Sequence, residues 1–185
     1  NDVLPVGYRL GRSVVVAWIG AGGMGVVYKA YDPDLDRNVA LKILPAEFAA
    51  DRDRLARFAR EAKLLASLNH ANIAGVYGLH EGPDGERFIA MELVEGRPLT
   101  DWADERDLGV RARIELLAQV CDAVQHAHQK GIIHRDLKPS NVLVAMVDGQ
   151  PVPKIIDFGV AKAMDHKLFD NTLTTSAGQL VGTPE

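Results

Sequence analysis

A glycine-rich segment near the start of the chain has the composition of a phosphate-binding loop. From Gly20 to Val27 it reads GAGGMGVV, and segments rich in β-branched residues precede and follow it. Glycines at these positions let backbone N–H groups approach phosphate oxygens without obstruction by a Cβ atom. The pattern is also common in ordinary turns, and a helix after it would indicate a dinucleotide-binding site. Because a strand-like segment follows, the pattern favours a loop that covers nucleotide phosphates.

A lysine and a glutamate further along the chain could complete such a site. Lys42 interrupts the alternating apolar segment from Val39 to Leu44. A lysine in such a strand would ordinarily be expected to face solvent. Glu61 lies on the apolar side of a predicted amphipathic helix, between Phe58 and Leu65. A carboxylate that points toward the body of the protein requires a cationic partner. We therefore expect Glu61 to pair with Lys42 and to hold the ammonium against phosphate oxygens.

Short strands and one helix would position these residues in the first half of the chain. The predicted strands are 14–19, 26–31, 39–44, 73–79 and 87–93, and the helix covers Asp51 to Leu68. Turn-forming residues separate the first three strands, which predicts an antiparallel meander.

The second half of the chain combines a longer helix with short strands. An apolar stripe marks the helix, which ends at Gly131, and its members are Ile114, Leu117, Cys121, Val124 and His128. Short strands are predicted at 132–133, 142–145 and 154–156, with a turn at Asp148 and Gly149 joining the last two. The pattern as a whole predicts an α+β fold.

The composition is that of an ordinary soluble globular protein. Of its 185 residues, 47% are hydrophobic and 25% are charged, and the formal net charge is -4. This composition excludes a disordered chain, a collagen and a coiled coil. The charges are interspersed, so no patch for nucleic acid is present. Cys121 is the single cysteine, and we expect a small buried hydrophobe in a reducing compartment. The longest uncharged run, 13–28, is too short and too rich in glycine to span a membrane.

Two further motifs give the chain a family resemblance. The segment from His134 to Asn141 reads HRDLKPSN, and Asp157 begins the tripeptide DFG. In this order, with the glycine-rich loop, Lys42 and Glu61 before them, these motifs resemble the protein kinases, and specifically the bacterial eukaryotic-like serine/threonine kinases. The resemblance covers about Arg12 to Glu185. It implies a two-lobe fold, with an antiparallel β N-lobe and one key helix in 1–94, and a hinge and the start of a helical C-lobe in 95–185.

The resemblance implies a site for ATP. Lys42 would contact the α- and β-phosphates and pair with Glu61, Met91 would be the gatekeeper, and the backbones of Glu92 and Val94 would bind the adenine edge. The implied nucleotide-binding residues are Ile19, Gly20, Gly22, Gly25, Val27, Ala40, Lys42, Met91, Glu92, Val94 and Leu143. For the apolar members, packing in the core is the simpler role, and we expect them to serve both purposes.

The resemblance also implies the reacting groups. Asp136 would be the catalytic base for the substrate hydroxyl, and Lys138 would neutralise charge on the transferred γ-phosphoryl group. Asn141 and Asp157 would hold Mg²⁺. His134 is expected to have a structural role instead, in a spine of side chains formed with Leu65, Val76 and Phe158.

Regulation and substrate class follow from the same resemblance. Arg135 before Asp136 is typical of kinases that are switched by phosphorylation, because the arginine can pair with the incoming phosphate. Candidate acceptors for autophosphorylation, with self-association of the chain, are Thr172, Thr174, Thr175 and Ser176. Lys138 and the segment from Gly182 to Glu185, in which Thr183 would bridge Asp136 and Lys138, favour Ser/Thr over Tyr in protein substrates.

The family continues beyond the position of Glu185, so we expect a fragment of a longer kinase in which the helix of Cys121 exposes apolar surface. We expect this part to be cytoplasmic, and the parent protein could carry a membrane anchor. Two alternatives stay open from the sequence. One is a pseudokinase or a truncated module that binds nucleotide or a partner without turnover. The other is a small-molecule phosphotransferase of similar fold, which Lys138 and the segment after Gly182 disfavour.

Overall fold

The described part of the chain folds into two antiparallel sheets and four helices. A computed structural model describes residues 3–22 and 25–158. The strands are β1 (Arg9–Leu10), β2 (Ser13–Gly22), β3 (Gly25–Asp32), β4 (Arg37–Ile43), β5 (Val76–Glu81), β6 (Arg87–Glu92), β7 (Arg97–Pro98), β8 (Val142–Val147) and β9 (Gln150–Ile155). The helices are α1 (Ala46–Ala49), α2 (Arg52–Ala66), α3 (Leu99–Glu105) and α4 (Val110–Gln129). Within the described ranges, none of the helices has the length and hydropathy to cross a membrane.

The larger sheet has six strands in the order β1-β2-β3-β4-β6-β5. The predicted meander is confirmed, because β2, β3 and β4 pair antiparallel in sequence order. Successive side chains point to opposite faces of the sheet. Val27, Ala40 and Met91 pack on one face, in a cluster that includes α2, and we call this the inner face. Tyr28 and Leu41 pack on the other face, which we call the outer face.

Helix α2 confirms the predicted amphipathic helix and packs on the inner face. Its buried side chains are Phe58, Ala62 and Leu65. Asp51 caps its N-terminus by accepting hydrogen bonds from the N–H groups of Asp53 and Arg54, at 3.1 and 3.0 Å. The bond from Arg54 is the main cause that lowers the pKa of Asp51. The cap therefore fixes where the helix begins.

The smaller sheet consists of β7, β8 and β9 and lies after the hinge segment. Strands β8 and β9 are joined at Asp148 and Gly149, whose φ values of 50° and 76° fit the predicted tight turn. Gly131, with φ 74°, terminates α4 as predicted. The strand predicted at 132–133 is wrong, because these two residues have no ladder partner.

Helix α4 buries a different face from the one that its apolar stripe predicts. The buried residues are Leu116, Val120, Ala123 and Ala127, whereas Ile114 and Leu117 are 59% and 52% exposed. Cys121 is also exposed, so the prediction of a buried cysteine is wrong. The helix carries two apolar stripes, and the one with two alanines packs because small side chains allow a close approach. Ile114, Leu117 and Cys121, on the other stripe, are exposed.

The two sheets are connected through the segment between α2 and β5. The side-chain amide of Asn72 donates a 2.8 Å hydrogen bond to the carbonyl of Pro153. Ile73 forms a parallel bridge with Ile155, and the N–H of Ala74 donates to the carbonyl of Ile155 at 2.9 Å. These contacts fix the end of β9, and therefore the adjacent Asp157, relative to α2. The proposed division between residues 94 and 95 stays a prediction.

Candidate active site

The buried ammonium of Lys42 pairs with Asp157. Lys42 is 3% exposed, and its Nζ lies 3.0 Å from Oδ1 of Asp157. A buried ammonium requires a carboxylate at this distance because the protein interior solvates charge poorly. The Lys42–Asp157 ion pair therefore joins the inner face of the six-stranded sheet to the segment that follows β9.

The predicted ion pair between Lys42 and Glu61 is wrong for this structure. Glu61 is half-buried, and among the described residues it has neither an ion pair nor a hydrogen bond. The face of α2 that enters the core is that of Phe58 and Leu65, and Glu61 lies at the edge of this face rather than at its centre. Asp157 therefore supplies the counter-charge, and any contact of Glu61 with the phosphate site stays a prediction.

The carboxylate of Asp136 contacts two other residues of its loop. Its Oδ2 lies 3.2 Å from Nζ of Lys138 and 3.4 Å from Nδ2 of Asn141. The amide of Asn141 also donates to the carbonyl of Asp136 at 2.8 Å. A short 3₁₀ turn from Pro139 to Asn141 closes the loop and brings the amide back to Asp136. The structure thus brings together three of the predicted reacting groups.

Two residues of the site have left-handed backbone conformations. Arg135 has φ 66° and Asp157 has φ 56°. Such values are unfavourable for residues other than glycine, and they occur often at functional sites. At Asp157 this conformation turns the chain after β9, with the carboxylate beside Lys42 and the ring of Phe158 in the core.

His134 is a packing residue with both ring nitrogens in hydrogen bonds. It is 2% exposed, its Nδ1 accepts from the N–H of Asp136 at 3.2 Å, and its Nε2 lies 3.2 Å from the carbonyl of Ile156. These partners assign the proton to Nε2. Its ring packs edge-on against Phe158 with 4.8 Å between centroids. Because neither nitrogen faces solvent, the structure agrees with a structural role.

The unfolding free energy should fall as the pH decreases below about 6.5. Burial lowers the pKa of His134, and of His70 and His80 in the same direction. Each folded-state imidazole therefore binds a proton less readily than in the unfolded chain, so protonation favours unfolding. Urea titrations between pH 7.5 and 5.5 should show a smaller pH dependence for His134→Gln than for the wild type. The exposed His128→Gln is the control, and equal slopes for all three proteins would contradict this origin.

The strands place the predicted phosphate-loop residues at one end of the inner face. Val27 is the register partner of both Gly20 and Lys42, and Gly22 is that of Gly25. At Gly25, φ is 116° and a Cβ atom would lie 2.0 Å from the carbonyl oxygen of Ile43, so only glycine fits there.

The apolar members of the predicted nucleotide-binding set are divided between the two sheets and the segments beside them. Ala40 and Met91 are register partners and are buried in the same cluster as Val27. Leu143 is in β8, where it pairs with Lys154. The other two side chains of this set, Ile19 and Val94, are 48% exposed and half-buried, respectively. Their contact with adenine stays a prediction.

The carboxylate of Glu92 joins three segments, a role that the sequence analysis missed. Oε1 lies 2.6 Å from Nζ of Lys154, and Oε2 accepts from the N–H of Gly75 at 3.1 Å. The N–H of Glu92 in turn donates to the carbonyl of Gly75 at 2.8 Å. The end of β6, the segment before β5 and strand β9 are thus linked. The sequence feature that could have indicated this pair is Lys154, a charged residue next to the apolar Ile155.

Lys154→Met should lower the unfolding free energy by about 1–3 kcal/mol. The change leaves the carboxylate of Glu92 without its cation, and the two side chains are only 16% and 30% exposed. A matched control is Arg111→Met, because the Arg111–Glu115 pair is 94% and 66% exposed and should contribute less than about 0.5 kcal/mol. Denaturant unfolding measures the unfolding free energy of both variants. Equal losses would show that the Glu92–Lys154 pair stabilises the fold no more than an exposed ion pair does.

The donor set near Asp157 fits Mg²⁺. The N–H of Ile156 donates to the carbonyl of Asn141 at 2.8 Å, so Asn141 and Asp157 lie close together. The amide nitrogen of Asn141 is directed to Asp136, which leaves its side-chain oxygen available, and Oδ2 of Asp157 is not part of the Lys42 contact. One carboxylate and one amide oxygen suit Mg²⁺, which takes its other ligands from phosphates and water. Within residues 3–22 and 25–158, no larger cluster of metal-ligating side chains is present.

Several predicted residues lie outside the described part of the chain. These are Gly23 and Met24 of the glycine-rich loop, Gly159 of the DFG tripeptide, Thr183, and the predicted acceptors Thr172, Thr174, Thr175 and Ser176.

Comparison with known proteins agrees with this geometry. The family model described as protein kinase domain matches residues 14–184. The serine/threonine-protein kinase Pkn1 of Myxococcus xanthus is 38% identical over 181 residues, which are 97% of this chain and 25% of Pkn1. The chain therefore spans about a quarter of that relative.

Solved structures show the same fold. The kinase domain of PknI from Mycobacterium tuberculosis superimposes with a TM-score of 0.72 and 34% identity, over 85% of this chain and 64% of that one. Rad53 1-466 in complex with AMP-PNP gives a TM-score of 0.67 and 30% identity, over 80% of this chain and 38% of that one. The predicted α+β kinase-like fold is confirmed. Because the protein kinase domain model matches residues 14–184 and the fold agrees with solved kinase domains, the chain belongs to the protein kinase domain family.

Proposed function

We propose that this chain contains the ATP-binding and phosphotransfer site of a serine/threonine protein kinase. The observation that carries the proposal is the arrangement around Asp136, where a carboxylate, the ammonium of Lys138 and the amide of Asn141 converge within 3.4 Å. Lys42 in β4 and Asp157, which follows β9, form a second charged pair. These are the groups that phosphoryl transfer requires, since its catalysis consists mainly of positioning and electrostatic stabilisation.

Asp136 is suited to orient the hydroxyl of a protein substrate and to accept its proton. As the hydroxyl oxygen bonds to the γ-phosphorus, the bond from that phosphorus to the bridging oxygen of ADP breaks, and the hydroxyl proton passes to the carboxylate. The hydrogen bonds from Asn141 hold the loop of Asp136 in place. Lys138, whose side chain is 53% exposed, can turn from Asp136 toward the transferred group and neutralise its charge.

Lys42 and the loop at Gly25 would bind the other phosphates. Lys42 lies opposite Val27 in the sheet, so its ammonium is beneath the hairpin that carries the glycines. Asn141 and Asp157 would hold Mg²⁺, which when bound neutralises phosphate oxygens. Transfer of Lys42 from Asp157 to a phosphate would then free both carboxylate oxygens of Asp157.

The substrate class proposed is a Ser or Thr hydroxyl of a protein. Pkn1 is named a serine/threonine-protein kinase, which supports this choice. We also propose that two copies of the chain can associate and phosphorylate each other at Thr172, Thr174, Thr175 or Ser176, and that this part of the protein is cytoplasmic.

Phosphate transfer from γ-labelled ATP to casein tests the proposal. We expect label on serine and threonine of the acceptor or of the chain itself, and none on tyrosine. Chelation of divalent cations with EDTA should abolish the transfer, because ATP would lack its counter-ion. Absence of label in both proteins, or label on tyrosine, would contradict the proposed activity.

A further inference from the structure

A cleft of about 910 Å³ lies on the outer face of the six-stranded sheet, and Ala21 and Gly25 of the glycine-rich hairpin are among its lining residues. We call it the outer cleft. Side chains from β2, β3 and β4 line it, among them Trp18, Val26 and Ile43, and α1 contributes Ala46. Its volume is in the range of sites that bind small molecules or anchoring side chains.

The outer cleft and the candidate nucleotide site share two strands. Val26 and Ile43, which are register partners, line the cleft. Val27 and Lys42, the adjacent residues and also register partners, point to the inner face because side chains alternate along a strand. Anything bound in the outer cleft would therefore contact β3 and β4, the strands that carry Val27 and Lys42 on their other face.

The segment before β1 borders this cleft. Val3 and Leu4 are among its lining residues. The N–H of Leu4 donates a 2.9 Å hydrogen bond to the hydroxyl of Tyr28, which is 1% exposed. This contact ties the segment before β1 to the sheet at one side of the cleft, which Trp18, 54% exposed, also lines.

Two carboxylates at the rim, Asp84 and Glu86, have no cationic partner among the residues that the structure describes. The hydroxyl of Tyr8 lies 2.6 Å from Oδ2 of Asp84 and 2.8 Å from Oε1 of Glu86. The two hydrogen bonds hold the pKa of Tyr8 well above its ordinary value, and its single proton cannot satisfy both carboxylates. Within the described residues neither acid has an ion pair, and the nearby Arg87 is paired with Glu81 at 2.7 Å. The rim thus presents uncompensated negative charge beside an apolar surface.

We propose that the outer cleft binds a peptide segment of a partner protein in which a bulky apolar side chain is followed by arginine or lysine. The apolar side chain would lie against Trp18, Val26 and Ile43, where its burial supplies the binding free energy. The basic side chain would pair with Asp84 and Glu86, which gives orientation and selectivity. The same carboxylates disfavour an anionic membrane surface or a nucleic acid as the occupant.

Peptide binding to the 185-residue chain tests this proposal. The probe is the fluorescein-labelled, amidated peptide Gly-Phe-Leu-Arg-Arg-Gly, which has no hydroxyl and so cannot be a substrate for phosphate transfer. The first control replaces both arginines with glutamate, and the second replaces Phe-Leu with Gly-Gly. Fluorescence anisotropy should show at least about tenfold weaker binding for each control, since each lacks one of the two interactions.

Two variants locate the binding in the outer cleft. Ala46→Trp fills the cleft from an exposed position, and Asp84→Asn combined with Glu86→Gln removes the rim charge. Each should weaken binding of the probe by about tenfold or more. Glu47→Gln is the matched control, because Glu47 is an exposed acid on the same helix that does not line the cleft, and it should leave binding unchanged.

Three results would overturn the proposal. The first is equal binding of the probe by the wild type and by both variants. The second is equal affinity for the probe and the glutamate control, which would assign the cleft to an uncharged apolar ligand. The third is self-association in sedimentation experiments that Ala46→Trp abolishes, which would assign the cleft to a second copy of the chain. None of these readouts depends on phosphate transfer.

Discussion

Asp136→Asn should lower kcat for phosphate transfer by about 10²–10⁴ while the affinity for an ATP analogue stays unchanged. The amide that results has nearly the same shape and can still accept hydrogen bonds from Lys138 and Asn141, so the loop should keep its conformation. It cannot accept the proton of the substrate hydroxyl. Turnover and analogue binding, measured on the same preparation, separate the two effects.

A matched control for this variant is Asp101→Asn. Asp101 is an exposed carboxylate in the first turn of α3, and its side chain accepts a hydrogen bond from Thr100, the preceding residue, so its change should leave kcat unaltered. Loss of analogue affinity in Asp136→Asn would show that the carboxylate contributes to nucleotide binding. Unaltered kcat would show that it is not the base.

Asp157→Asn should abolish transfer and also lower the unfolding free energy by about 3 kcal/mol. Transfer should be lost because the substitution removes a carboxylate that is proposed to bind Mg²⁺. The second follows from the ion pair, because Lys42 is 3% exposed and its ammonium would be left without a counter-charge. Denaturant unfolding and a transfer assay measure the two effects independently.

The double variant Lys42→Met and Asp157→Asn distinguishes them. Removal of both charges eliminates the unpaired ammonium, so stability should return toward that of the wild type while transfer stays absent. If Asp157→Asn alone were as stable as the wild type, the ion pair would not contribute to the free energy of unfolding. If the double variant transferred phosphate, neither residue would belong to the reaction.

Much of the fold could be predicted because it depends on local patterns. Alternation identified β2, β3 and β4, and the three-to-four spacing of apolar residues identified α2. The face of α4 that packs could not be identified, because Ile114 and Leu116 belong to two stripes of similar hydrophobicity. Which stripe is buried depends on contacts with β9, which is distant in sequence.

In the site, too, local motifs could be predicted and contacts between distant segments could not. Asp136 and Asp157 each belong to a short motif of consecutive residues. Both motifs were identified through their resemblance to a family. The partner of Lys42 depends on the position of α2 relative to β9, and helical periodicity places Glu61 only on a side of its helix. The Glu92–Lys154 pair and the outer cleft join residues from separate segments, and no short pattern predicts such contacts.

Calorimetric titration of the 185-residue chain with Mg²⁺-ATP, with Lys42→Ala as the comparison, tests most directly that these residues form a nucleotide site. We expect the wild type to bind and the variant to bind at least about tenfold more weakly, since it lacks the buried ammonium. No binding to the wild type, or equal affinity for both proteins, would contradict the assignment of the site.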